Sequence, residues 1–260
     1  MKKLQSLRKM SMICALALAI SGAASATTVD LTTGGADGAV GGALFLQWDG
    51  QSTGTGTINS FVEIGGNDDV IDAYNTTVNG TLDNGSSDQF NHALLLTAVP
   101  IVNFGGVDYR EFILDVNQTG NDPLISLDEI QLFTSDNANQ SVTSFTGGIL
   151  DLSELDMSDS SLVYNLDGIE DSYILLDYSL NSGSGSGDML FYVPDSVFNT
   201  GDQYVYLYSL FGQEDNNNDG FEEWAVREGD VQIIVPEPTS LALLGLGLAG
   251  LGLRRRAKRS

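Results

Sequence analysis

Tyr204-Val205-Tyr206-Leu207-Tyr208, the opening of the run 204–211, places tyrosines at every second position with Val205 and Leu207 between them. Successive side chains of an extended strand point to opposite faces, so this period of two predicts a strand with a tyrosine face and an aliphatic face. Phe112, Leu114 and Val116 repeat the pattern on one face of a second run, with Ile113 and Asp115 on the other. Outward from these segments, short apolar, β-branched and aromatic runs alternate with Gly/Asn/Asp/Ser clusters throughout 27–235. No window there keeps helical periodicity over about a dozen residues. Strands are predicted at 44–48, 58–64, 76–82, 93–104, 107–116, 130–134, 173–180, 189–193, 204–211 and 224–235. Asn79-Gly80, Asn84-Gly85, Gly105-Gly106 and Asp219-Gly220 supply turn chemistry between them. About ten strands in one acidic domain, 27–235, predict an all-β fold, a two-sheet β-sandwich of jelly-roll type. A β-helix needs a repeat of fixed period, and the sequence has none. Regular alternation and aromatic content argue against a disordered chain. A division into two small β-domains would fall at 134–147.

The 260 residues carry 11 Lys+Arg and 35 Asp+Glu, a formal net charge of −24. Lys2, Lys3, Arg8 and Lys9 lie at one end, and Arg254, Arg255, Arg256, Lys258 and Arg259 at the other. Only Arg110 and Arg227 lie between, so 35 carboxylates against two arginines leave the interior at −33. Phosphate binding rests on clustered Lys and Arg, so no nucleic-acid partner is expected. One His and one Cys exclude multi-His or multi-Cys metal centres and a disulfide framework.

Each basic end adjoins an apolar run. At the N-terminus the run 12–20 is followed by Ser21-Gly22-Ala23-Ala24-Ser25-Ala26. Charge, a short apolar run and an A-x-A step, here Ala24 and Ala26, describe a secretory signal peptide over 1–26, cut by signal peptidase after Ala26. Cys14 leaves with it, so the mature chain has no cysteine and folds in an oxidising compartment without covalent staples. At the C-terminus Pro236-Glu237-Pro238 breaks regular structure, and 241–253 is a Leu/Gly/Ala run ahead of the arginine cluster. As a helix that run spans about 20 Å, short for a bilayer core of about 30 Å, and its basic tail stays cytoplasmic. It predicts a transient membrane stop.

Pro-Glu-Pro, a short apolar span and a terminal Arg cluster over 236–260 resemble the PEP-CTERM sorting signal. The resemblance implies a Gram-negative bacterium and export across its inner membrane. It implies processing near Pro236, Glu237 and Pro238 by an exosortase, a transpeptidase-like membrane enzyme. It also implies an envelope or matrix protein associated with exopolysaccharide and biofilm.

Candidate chemistry inside the body is sparse. Asp215, Asn217 and Asp219 followed by Gly220 match the first half of a Ca²⁺ loop, with alternate oxygen side chains turned inward. Position 12 of that loop is Val226, so Glu222, Glu223 or a carboxylate from a neighbouring loop would close the site. Calcium is the one cofactor the sequence suggests. A Ser-His-Asp triad would have to use His92, and no Gly-x-Ser-x-Gly elbow accompanies it. Gly183-Ser184-Gly185-Ser186-Gly187-Asp188 lacks the lysine of a phosphate loop and predicts a flexible turn. Trp48, Trp224 and the Tyr204/Tyr206/Tyr208 face would be sugar platforms if exposed. The expected function is therefore a non-enzymatic surface or matrix protein. The alternatives are a carbohydrate-binding module, marked by exposed aromatics, and a glycan hydrolase, marked by a cleft with facing carboxylates.

Overall fold

The computed structural model describes residues 27–48, 58–66, 68–78, 80–85, 89–151, 160–183, 185 and 187–227. Its strands in chain order are β1 Thr27–Asp30, β2 Asp37–Val40, β3 Ala43–Gln47, β4 Ile58–Ile64, β5 Ile71–Tyr74, β6 Leu94–Leu95, β7 Ile101–Phe104 and β8 Val107–Asp115. There follow β9 Leu124–Ser135, β10 Phe145–Thr146, β11 Ile149–Leu150, β12 Ser160–Asn165, β13 Ser172–Asp177, β14 Met189–Pro194, β15 Tyr204–Phe211 and β16 Glu222–Arg227. The first sheet runs β1-β13-β9-β15-β5, with β12 and β6 pairing at its margin; the second runs β2-β3-β14-β8-β16-β4, with β7 beside β8. β1 lies parallel to β13, and the other ladders are antiparallel. The fold is all-β with two large sheets, and strands on both sides of 134–147 pair within the first of them.

The sheets share one core. Val29, Leu127, Leu132, Ile174, Val205 and Leu207 come from the first, Phe45, Phe61, Phe112, Phe191 and Trp224 from the second. The Phe191 ring stacks on Phe45 at 5.0 Å and meets Tyr164 of the opposite sheet at 5.5 Å. Trp224 Nε1 crosses the core to Ser209 Oγ at 2.9 Å, which satisfies the indole in an otherwise apolar layer. Val205 and Leu207 thus face the core as the alternation predicts. The tyrosine face is also covered: Tyr206 and Tyr208 form a second core with Tyr74, Phe133, Val142 and Leu150. Tyr206 donates to Asn137 O at 2.5 Å, and Tyr208 to Asp72 Oδ2 at 3.0 Å.

Segments 58–64 and 204–211 match β4 and β15. Segment 76–82 is not a strand, and the strand is β5, just before it. Asn75 ends it by imitating main chain: Nδ2 donates to Val205 O at 2.9 Å and Oδ1 accepts from Leu207 N at 2.6 Å. Segment 93–104 divides into β6, a 3-10 turn at Leu96–Ala98, and β7 in the opposite sheet. Pro100 lacks the donor a continuous ladder needs, and Arg110 Nη1 gathers the carbonyls of Leu96 and Val99 at 2.7 and 2.9 Å. The β7–β8 hairpin turns at Gly105 and Gly106, with φ of 59° and 91° that only glycine takes freely in this turn. Among the described residues no helix is long and apolar enough to cross a membrane. The expected helix at 241–253, the signal segment 1–26 and the part of 224–235 after Arg227 lie outside the described residues.

Candidate functional site

The loop between β15 and β16 carries the residues expected to hold calcium. It turns at Gly212, φ 94°, where an added Cβ would lie 2.1 Å from Asp69 O. Ser126 Oγ then accepts the amides of Glu214 and Asp215, both at 3.0 Å, and donates to Asp128 Oδ2 at 2.9 Å. Asn217 is buried and spent on protein: N donates to Asp69 O at 2.9 Å, Nδ2 to Asp68 O at 3.1 Å, and Oδ1 accepts from Gln118 Nε2 at 3.3 Å. Asn218 accepts from Thr119 N and donates to Asp122 O, both at 2.8 Å. Asp219 is exposed and caps the amide of Gly220 at 2.9 Å.

The two glutamates are neighbours on β16 and so project to opposite faces. Glu222 points into the end of the sandwich, where Asn117 N and Gln118 Nε2 each donate to it at 2.9 Å. Burial pushes its carboxyl well above the usual range against those two donors. Glu223 faces outward and lies directly opposite Glu63 on one side and Asp115 on the other. Burial first, then the charges of Asp115 and Glu63, push it up to about 7. The structure links Asn217 to Glu222 through Gln118 Nε2 and sets Asp219 in one cleft with Asn217 and in another with Glu223, without gathering the five, Asp215 included, around one point. Among the described residues no group of three or more His, Cys, Asp or Glu side chains is placed to hold a metal ion.

Two clefts flank the turn at Asp219, Gly220 and Phe221. The larger, about 620 Å³, is lined by Gly65, Gly66, Asp68, Asp69 and Asn217 together with the turn. The smaller, about 260 Å³, adds Asn117, Gln118, Tyr178 and Glu223. Phe221 is 47% exposed and packs against Gly65, where a Cβ would lie 2.2 Å from its ring. This end of the sandwich offers carboxylates, amides and one open aromatic ring.

The other suggested residues have structural roles. Trp224, Tyr206 and Tyr208 are buried in the two cores, and Trp48 lies under the Arg227 guanidinium at 4.7 Å, so none is an open sugar platform. His92 N donates to Phe61 O at 3.1 Å, and burial lowers its imidazole below the ordinary range. The glycine-rich loop does cradle an anion, and that anion belongs to the chain. Gly185 N and Gly187 N donate to the Asp115 carboxylate at 2.6 and 3.0 Å. Next to it Asp188 accepts from Val116 N at 2.8 Å, while its other oxygen is buried without a hydrogen-bond partner. Sequence reasoning passed over Asp115 and Asp188; the signal was the glycine spacing at 183, 185 and 187, which frees main-chain amides to face an acceptor.

An all-β body of two packed sheets with an acidic loop end defines the class of domain. The address on it comes from the chain's terminus: residues 235–256 match the family model of the PEP-CTERM protein-sorting motif. That match includes Pro236, Glu237 and Pro238, which lie outside the described residues, as do Ala24 and Ala26. The motif implies an exported protein processed by an exosortase, at the cell surface or in the extracellular space. No curated protein and no solved structure matches the chain.

Proposed function

We propose that the chain is a non-enzymatic protein of the cell surface or extracellular matrix of a Gram-negative bacterium, retained among exopolysaccharide in a biofilm. Signal peptidase removes 1–26, a short helix at 241–253 holds the acidic body at the inner membrane, and the exosortase acts at Pro236-Glu237-Pro238. The observation that carries this reading is the sorting motif at 235–256, beyond the last described strand. Supporting a passive role, Glu222 and Asp115 each accept two donors of the chain itself. We read the sandwich as a jelly roll. A ribbon of eight strands wound in that way pairs first with eighth, second with seventh, third with sixth and fourth with fifth. β4–β16, β5–β15, β8–β14 and β9–β13 are those pairs.

A second reading, glycan binding, is favoured by the larger cleft, where planar amide and carboxylate groups surround the exposed Phe221 ring. A calcium ion bound by Asp219 with Asp68 or Asp69 would complete its shell with water or sugar hydroxyls. The hydrolase alternative has less support, because the Asp115 carboxylate in the row Glu63–Glu223–Asp115 already accepts two amides. Replacing Pro236, Glu237 and Pro238 by alanine tests the main reading. The expected product is an unprocessed, membrane-bound chain, and processing and release like the wild type would reject it.

A further inference from the structure

We propose that removal of residues 1–26 creates a binding site for the chain's own new α-ammonium group, and that this charge locks β1 onto the turn preceding β13. The inference rests on the signal-peptide reading above. Thr27 opens β1, its nitrogen lies 3.1 Å from Asp171 O, and its hydroxyl donates to Glu170 Oε1. The nitrogen and Oγ1 of one threonine are about 3 Å apart, so the Glu170 carboxylate sits within about 5 Å of that nitrogen. In the uncut chain the nitrogen is a neutral amide whose single proton goes to Asp171 O. Cleavage after Ala26 makes it an ammonium with three protons and a full charge. One N–H keeps the Asp171 carbonyl, and the others reach Glu170.

Among the described residues no competing cation is at hand. The turn carries Asp167, Glu170 and Asp171, β1 itself carries Asp30, and the facing β2 carries Asp37. Arg110 and Arg227 are committed to Asp195 and Glu111 in the opposite sheet. The sequence has no lysine between Lys9 and Lys258, so the α-ammonium is the third cation of a body at about −32. Its position matters because β1 is a four-residue edge strand that closes the seam between the sheets. It sends Val29 and Leu31 into the shared core, is tied by Leu31 N to Leu175 O at 2.9 Å, and packs Val29 against Gly38 of β2. The device sets this seam only after export.

The scarcity of amines makes the test selective. The chain from Thr27 to Ser260, released from a cleavable fusion and carrying Lys258→Arg, has one amine to acetylate. Acetylation is expected to speed hydrogen exchange over 28–31 about fivefold and to leave β15 unchanged. Glu170→Gln is expected to exchange at that faster rate from the start, with no further response to acetylation. Unchanged exchange over 28–31 on acetylation, or a Glu170→Gln variant that responds as fully as the parent, overturns the lock. The exported protein is read separately by mass spectrometry. An N-terminus other than Thr27 there rejects the signal reading alone, because the lock is measured on a chain cut at Thr27 by design.

Discussion

Glu111 is fully buried, and its two oxygens are taken by Arg227 Nε at 2.9 Å and Tyr192 Oη at 2.8 Å. The Arg227 guanidinium also covers the Trp48 ring at 4.7 Å. A buried pair repays its own desolvation poorly, yet removing one partner strands the other. Arg227→Met is therefore expected to cost about 3 kcal/mol, a drop of about 10 °C in Tm for a domain of this size. Adding Glu111→Leu together with Tyr192→Phe is expected to restore most of it, because that combination leaves neither an uncompensated charge nor the buried Tyr192 hydroxyl without its partner. A combined variant no more stable than Arg227→Met in thermal melts would show that the pair is not what holds this face. The sequence marks Arg110 and Arg227 as the only interior cations, but their partners are 85 and 116 residues away. Pairings at that distance are set by sheet register, which local pattern does not carry.

At the scale of elements, β8, β14 and β15 are legible because each alternates between residues in the shared core and residues on the opposite face, whereas in β4 Phe61 and Val62 both enter that core where the register with β16 shifts. β9 is only half legible. Its register shifts at Asp128, and Asp128, Glu129 and Gln131 break the apolar pattern: Asp128 accepts from Gln213 N, and Gln131 Nε2 donates to Glu129 and to Gly148 O. β5 is hidden for a different reason: Thr76 looks like the start of a strand over 76–82, but the Asn75 side chain just before it closes one. The half-motif at 215–219 is legible as a loop, but its side-chain roles are not: Asn217 braces Gln118 and Asp68, while Asp219 joins Asn217 and Asn218 at the wall of the larger cleft. Calcium binding through that loop predicts a higher Tm in millimolar Ca²⁺ than in EDTA, with Asp219→Ala losing most of the difference. Identical melting curves with Ca²⁺ and EDTA would remove calcium from the account.

Across the whole molecule, carboxylates outnumber cations so far that several are held where ionisation is costly. Burial pushes Glu129 and Glu223 up to about 7, and raises Asp188, Glu222, Asp72, Asp128 and Asp167. The folded state therefore binds protons more tightly than the unfolded chain across the interval from about 4.5 to about 7. More protons bound in the folded state make stability fall as pH rises through that window. His92, lowered by burial, works in the opposite direction below about 6.5, but it is one group against many. In EDTA, Tm is expected to be higher at pH 5 than at pH 8, and a higher Tm at pH 8 would show that these carboxyls ionise freely in the fold. Such a body, with two internal arginines and no lysine, depends on its ends for its route through the cell. The central claim is that both ends are removed during export, and mass spectrometry of the mature protein from its native cells tests it most directly. The account predicts an N-terminus at Thr27 and a C-terminus within or next to Pro236-Glu237-Pro238. A mature chain that keeps its apolar run and arginine tail would contradict it.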